Sequence, residues 1–76
     1  MTKTSDSVEE RCRRLGQNIR QRRMEEKISQ ARLALMVGSA QSYMYRIEAG
    51  RVHVGIFLIY RIAEALDCTP RDLIDF

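Results

Sequence analysis

Apolar residues return every three or four positions along this chain, the repeat of amphipathic helices, and no strand is predicted. Val8, Cys12, Leu15 and Ile19 form the first stripe. Ser7, with Glu10 three residues on, forms a capping box ahead of it, so the spacing predicts a first helix from about Val8 to Met24. Gly16 interrupts that helix, which is tolerable where another helix packs on its bare backbone. Ser29 is the next N-cap, Ile28 is placed to staple onto Leu33, and Leu33, Ala34 and Val37 share a face that ends at Gly38. The following segment turns Met44 and Ile47 inward, and Gln41, Ser42, Tyr43, Tyr45 and Arg46 outward. A fourth helix is predicted from about Ile56 to Leu66, with Ile56, Ile59, Ile62, Ala63 and Leu66 as its core stripe. Thr69, Pro70 and Asp72 then supply an N-cap, a first-turn proline and an N3 carboxylate for a short last helix.

The stretch SQARLALMVGSAQSYMYRIEAG, Ser29 to Gly50, therefore reads as two short helices around a tight turn, the second with a polar outer face. That pattern is a helix-turn-helix. The blocks LGQNIRQRR, SQARLALMVG, SYMYRIEAGR and IAEAL resemble, in order and spacing, the Cro and phage-repressor type of helix-turn-helix domain, the XRE family. The resemblance covers the chain from about Leu15 onward. It implies an all-α, compact five-helix, lambda-repressor-like DNA-binding domain over residues 8–76, preceded by a flexible segment over residues 1–7.

Several positions depart from the family pattern. Lys27 stands where glycine is usual, so either the turn before Ile28 differs or a lysine adopts a left-handed conformation costing about 1 kcal/mol. Arg32 replaces a helix-capping glutamate, and Leu35 and Met36 replace polar surface residues. Ser39 stands in place of a buried valine and Ala40 in place of the recognition-helix cap. Ser39 is the candidate to take over that cap, which would shift the helix start by one residue.

Seventy-six residues make one small domain with a single core, too small for a large substrate cavity. The net charge of +3 is unevenly spread. Residues 8–28 hold seven basic and four acidic side chains, residues 29–52 three and one, and residues 53–76 two and four. A basic first two thirds favours a polyanionic partner, because neutralising phosphates releases condensed counterions. Of this basic set, Arg13, Arg14, Arg20 and Arg22 lie on the other face of the first predicted helix, either beside a phosphate strand or simply solvated.

The resemblance implies the following site. The recognition helix, about residues 40–49, lies in the major groove with Gln41, Ser42 and Arg46 toward base edges and Tyr43 beside them. Arginine bonds bidentately to guanine and glutamine to adenine. Tyr43 and Tyr45 are also open to a reading as partly buried packing residues, Tyr45 the more so. Gln30, at the start of the preceding helix, is expected to hold a phosphate, as are Arg51 and Arg20. Arg23 is expected to pair with Glu48 and fix the recognition helix against the first helix.

Phe57 and Tyr60 fall outside the core stripe, and Ile74 and Phe76 add apolar area. These four are expected to form a homodimer interface, unless Phe57 and Tyr60 pack on the N-terminal segment. A dimer would read a pseudo-palindromic operator, as expected of a sequence-specific transcriptional regulator or repressor. The rival reading is a protein-interaction adaptor or antitoxin-like partner using Leu35, Met36, Phe57 and Tyr60. Salt separates the two, since DNA binding weakens steeply with it. No enzyme, cofactor, metal or small-molecule effector is expected: there is one histidine, no glycine-rich phosphate loop and no cluster of catalytic acids. The longest apolar run, Val54 to Tyr60, is too short to cross a bilayer, and a cytoplasmic location is expected. Cys12 and Cys68 lack metal or redox spacing and are expected to be reduced, buried core residues.

Overall fold

The computed structural model describes residues 7–76 and forms five helices: α1 (Val8–Glu25), α2 (Gln30–Met36), α3 (Gln41–Glu48), α4 (Ile56–Ala65) and α5 (Pro70–Leu73). No strand occurs among the described residues. Of the segment expected to be flexible, residues 1–6 lie outside those described. Helix α3 packs against both α1 and α2, α4 against α2 and α5, and α5 returns onto α1.

Ile19, Leu33, Met44, Ile47, Ile62, Leu66 and Leu73 are sealed from solvent, so every helix contributes to, or adjoins, one core. Each such side chain contributes about 1.5 to 3 kcal/mol by leaving water. Gly16 is buried where α1 meets the end of α3. A Cβ there would stand 2.5 Å from the Ile47 carbonyl oxygen and 2.6 Å from that of Glu48, so only glycine permits this approach.

Four helices end the same way. Lys27, Gly38, Gly50 and Asp67 take φ of 58°, 71°, 74° and 56°. In each case the following residue's N–H reaches five residues back: Ile28 to Arg23, Ser39 to Ala34, Arg51 to Arg46 and Cys68 to Ala63, at 2.8–3.0 Å. These are Schellman turns, which satisfy carbonyls the helix leaves free. The turn before Ile28 thus keeps its shape, and Lys27 carries the left-handed strain.

The predicted stripes needed correction at their ends. Leu15 and Ile19 are buried as expected, but Val8 is exposed and Cys12 only half-buried. The first turns of α1 overhang the core, facing a shallow groove lined by His53, Val54, Ile74 and Phe76. Ile56 is likewise exposed, and the inward stripe of α4 starts at Ile59. Only half of the capping box at Ser7 forms: its hydroxyl accepts from the Glu10 N–H at 3.1 Å, while the Glu10 carboxylate pairs with Arg13. Cys68 is also half-buried, and burial pushes its thiol pKa up despite Arg22 nearby. Both cysteines are free thiols.

The chain end is tied to α1. Asn18 Nδ2 donates to the Leu73 carbonyl at 2.8 Å and to Asp75 at 2.9 Å, and Arg14 approaches Asp75 at 3.4 Å. The Arg14 guanidinium also lies 5.5 Å from the centre of the Phe76 ring, a cation–π distance. At the start of α5, the Asp72 carboxylate accepts from the Thr69 N–H and hydroxyl at 2.9 and 3.0 Å. Those bonds hold its pKa below the usual carboxylate value, with Arg22 adding to the effect.

Candidate nucleic-acid interface

Helix α3 begins at Gln41, with Ala40 as N-cap and no side-chain cap bond. Ser39 does not take over that role: its hydroxyl donates to the Ala40 carbonyl at 3.0 Å instead of accepting from the first turn. The helix start is therefore not shifted, and Gln41 is the first helical residue.

From that start the faces of α3 follow. Met44 and Ile47 are buried, Glu48 is half-buried, and Gln41, Ser42, Tyr45 and Arg46 are exposed. The two tyrosines, both expected on the outer face, separate. Tyr43 is half-buried and packs on the core, next in angle to Ile47, whereas Tyr45 is 54 % exposed and shares the face of Gln41 one turn earlier. The signal was present in the sequence, since positions four apart on a helix lie above one another.

Gln30, Gln41, Ser42, Tyr45 and Arg46 together line a shallow depression of about 500 Å³. A second, of about 170 Å³, is lined by Arg20, Gln30, Tyr45, Glu48 and Ala49. Gln30 and Tyr45 border both. Of the four arginines on α1 named above, Arg13 pairs with Glu10, Arg14 with Asp75 and Arg22 with Asp72. Arg20 has no carboxylate partner among the described residues and stands at the edge of this surface, so its charge is unneutralised there. Arg51 is exposed just beyond α3, its own N–H held by the Arg46 carbonyl.

Behind this surface lies one polar network. Arg23 Nε and Nη2 donate to the two oxygens of Glu48 at 2.7 and 3.0 Å, and Arg23 Nη1 donates to the Ile28 carbonyl at 2.9 Å. Gln30 Nε2 donates to Glu48 Oε1 at 3.2 Å. Three elements are thereby joined: the end of α1 with its turn, the start of α2 and the end of α3. One amide hydrogen of Gln30 is committed inward, and the other remains available to an acceptor outside. A planar fork matched to a carboxylate restricts orientation more than a point charge does.

The apolar residues expected at an interface divide into two kinds. Phe57 is 77 % exposed, and Tyr60 and Ile56 are each about half exposed, all within the first turns of α4. Ile74, by contrast, packs on the core, and Phe76 is engaged with Arg14. Leu35 and Met36 are exposed at the end of α2. Among the described residues no group of three or more His, Cys, Asp or Glu side chains could hold a metal ion, and no helix is long and apolar enough to cross a membrane.

Comparison with known proteins points the same way as the fold. The helix-turn-helix family profile matches residues 19–73. The chain is 37 % identical over 62 residues to control protein C.BamHI of Bacillus amyloliquefaciens, covering 80 % of this chain and 76 % of that one. It superposes with a TM-score of 0.79 on the restriction-modification controller protein C.AhdI of Aeromonas hydrophila, at 35 % identity over 82 % of this chain and 94 % of the other. The clp gene regulator ClgR of Corynebacterium glutamicum shares the fold, with a TM-score of 0.84 at 21 % identity over 95 % and 73 % of the two chains.

Proposed function

The chain belongs to the XRE-type helix-turn-helix family of DNA-binding transcription regulators, and from that premise we propose that it binds a pseudo-palindromic operator as a homodimer, with α3 in the major groove. One observation carries this reading. Gln41, Ser42 and Arg46 project from one exposed face whose rear is fixed by the Arg23–Glu48 pair, and Arg20, with no carboxylate partner among the described residues, stands beside it.

On this reading Arg46 and Gln41 read base edges, Ser42 contacts either kind of base, and Tyr43 flanks them from its half-buried position. Gln30, with its free amide hydrogen, and Arg20 and Arg51 take phosphates and set the register. Phe57 and Tyr60 meet their counterparts across a twofold axis, with Ile74 and Phe76 at the margin. Two recognition helices held about 34 Å apart then match one turn of DNA. No small-molecule effector is needed for this mode of binding, and a cytoplasmic place of action goes with it.

The two relatives above 30 % identity are called a control protein and a restriction-modification controller. We carry that role to this chain as its proposed setting: regulation of a restriction-modification gene set. Titration of the protein with random and selected duplexes at about 50 and 200 mM salt tests the DNA reading. Arg20 and Arg51 make four cationic phosphate contacts per dimer, so affinity should fall by about 10²-fold across that range. Salt-independent association, or none with duplex DNA, would favour an apolar protein partner on the Phe57 and Tyr60 surface instead.

A further inference from the structure

We propose that Tyr45 is a specificity-determining residue, reading the 5-methyl group of a thymine through the face and edge of its ring. The inference rests on the proposed DNA-reading role of α3 and adds a residue that the helix-turn-helix pattern alone does not assign.

A helix of 3.6 residues per turn advances about 100° per residue, so Tyr45 stands about 40° past Gln41 and about 60° short of Ser42. The arc opposite, occupied by Met44, Ile47 and the half-buried Tyr43 and Glu48, faces the protein. Ser42 therefore lies near the middle of the outward face, Tyr45 and Arg46 flank it about 50° from that middle on either side, and Gln41 lies at the margin. Tyr45 reaches much farther than Ser42, and no side-chain hydrogen bond holds it against the protein surface among the described residues.

The second observation is chemical. All five residues lining the depression between α2 and α3 end in a polar group, yet its exposed lining is predominantly apolar, and Tyr45 supplies its only ring. In the major groove the one apolar feature of a base pair is the thymine methyl. An exposed aromatic ring on the outward arc of a groove-facing helix is thus matched to thymine more than to the polar edges of guanine or cytosine. Gln30 and Tyr45 also border the neighbouring depression with Arg20, so a phosphate held by Arg20 would limit how the ring can turn away.

The test is a selection of bound sites from random duplex DNA with wild type, Tyr45→Ala and Tyr45→Phe, followed by replacing each selected thymine with deoxyuridine. Wild type and Tyr45→Phe should prefer thymine at one position per half-site and lose about fourfold in affinity with deoxyuridine there, the equivalent of about 0.8 kcal/mol for one methyl group. Tyr45→Ala should lose that preference, keep the others and bind thymine and deoxyuridine alike. An unchanged selection by Tyr45→Ala, or a wild type indifferent to deoxyuridine at every thymine, overturns the assignment while leaving DNA reading intact. A wild type that selects no sequence overturns both. Because Tyr45 is exposed, the variants should keep wild-type thermal unfolding; an Ala variant that alone unfolds would mark the residue as structural and also overturn the proposal.

Discussion

Arg23 and Glu48 are 25 positions apart in sequence, and they meet as a two-pronged pair, Nε and Nη2 against both carboxylate oxygens, at 2.7 and 3.0 Å. The Glu48 side chain retains 4 % of its exposure and that of Arg23 13 %. A charge this well enclosed is costly to strand. Glu48→Ala is therefore expected to lower stability by about 3 kcal/mol or more in urea unfolding, whereas replacing both partners with Met and Leu recovers much of that loss. If the single variant lost less than about 1 kcal/mol, the pair would not be a main tie of the fold.

Lys27 has the opposite sign. Its φ of 58° is strained for a residue with a Cβ, and its side chain is exposed. Lys27→Gly should raise stability by up to about 1 kcal/mol, a rise of about 4 to 8 °C in Tm for a domain of this size. A lower Tm in calorimetry would show that the lysine contributes a contact outweighing its strain.

Asp72 makes the fold sensitive to acid. Its native pKa is lowered by the Thr69 hydrogen bonds from an ordinary 3.8, so the folded state holds its proton less tightly than the unfolded state. The stabilisation is complete above that ordinary value and is lost as pH falls through the lowered native one. Wild type should be more stable than Asp72→Asn at pH 7, and the gap should close between about pH 4 and the lowered native pKa. A gap constant with pH in chemical unfolding would contradict this.

Much of the fold could be read from residue types alone because its determinants are local. Ser7, Ser29 and Thr69 start helices, the glycines at 38 and 50 stop two, and the three-residue spacing of Met44 and Ile47 orients the recognition helix. What escaped was decided by neighbours. Periodicity shows which side of α1 or α4 is apolar, but not that the body of the protein ends before Val8 and Ile56, leaving both in solvent. The different burial of Tyr43 and Tyr45 had a similar cause: either ring suits a protein or a groove, and only the angle to Met44 and Ile47, set by a helix starting at Gln41, separates them. The inward bond of Gln30 to Glu48 also lay beyond a local reading.

Arg46 and Gln30 should fail in different ways. Arg46→Ala removes a proposed bidentate base contact and should cost about 1 to 3 kcal/mol of discrimination at one base position, with thermal unfolding unchanged. Gln30→Ala removes a proposed phosphate contact and should weaken all duplexes alike. Competition between selected and random duplexes distinguishes these, and a Gln30 variant with altered base preference would reverse its role.

Phe57→Glu tests the dimer. Phe57 is so exposed that a charge there costs the monomer nothing in buried contacts, yet it would place two carboxylates at a twofold interface. Sedimentation should give a dimeric wild type at tens of micromolar and a monomeric variant with unchanged helix content. A monomeric wild type, or a variant that associates equally well, would remove Phe57 and Tyr60 from the assembly.

The polar ties of helix α3 gather at one end, while its first turn is held by the buried Met44. Its last turn is gripped through Glu48, abuts the bare backbone of Gly16, and leads into Gly50, where an added Cβ would stand 2.7 Å from the Arg13 Cα. Its first turn has no side-chain cap, and it carries Gln41 and Ser42. Mechanically the helix is a beam clamped at its root and pinned at Met44, with only the overhang of Gln41 and Ser42 loaded at its tip. Amide exchange should therefore be slow near Ile47 and Glu48 and fast at Gln41 and Ser42, with the tip slowing most when a duplex supplies the acceptors that Ala40 lacks.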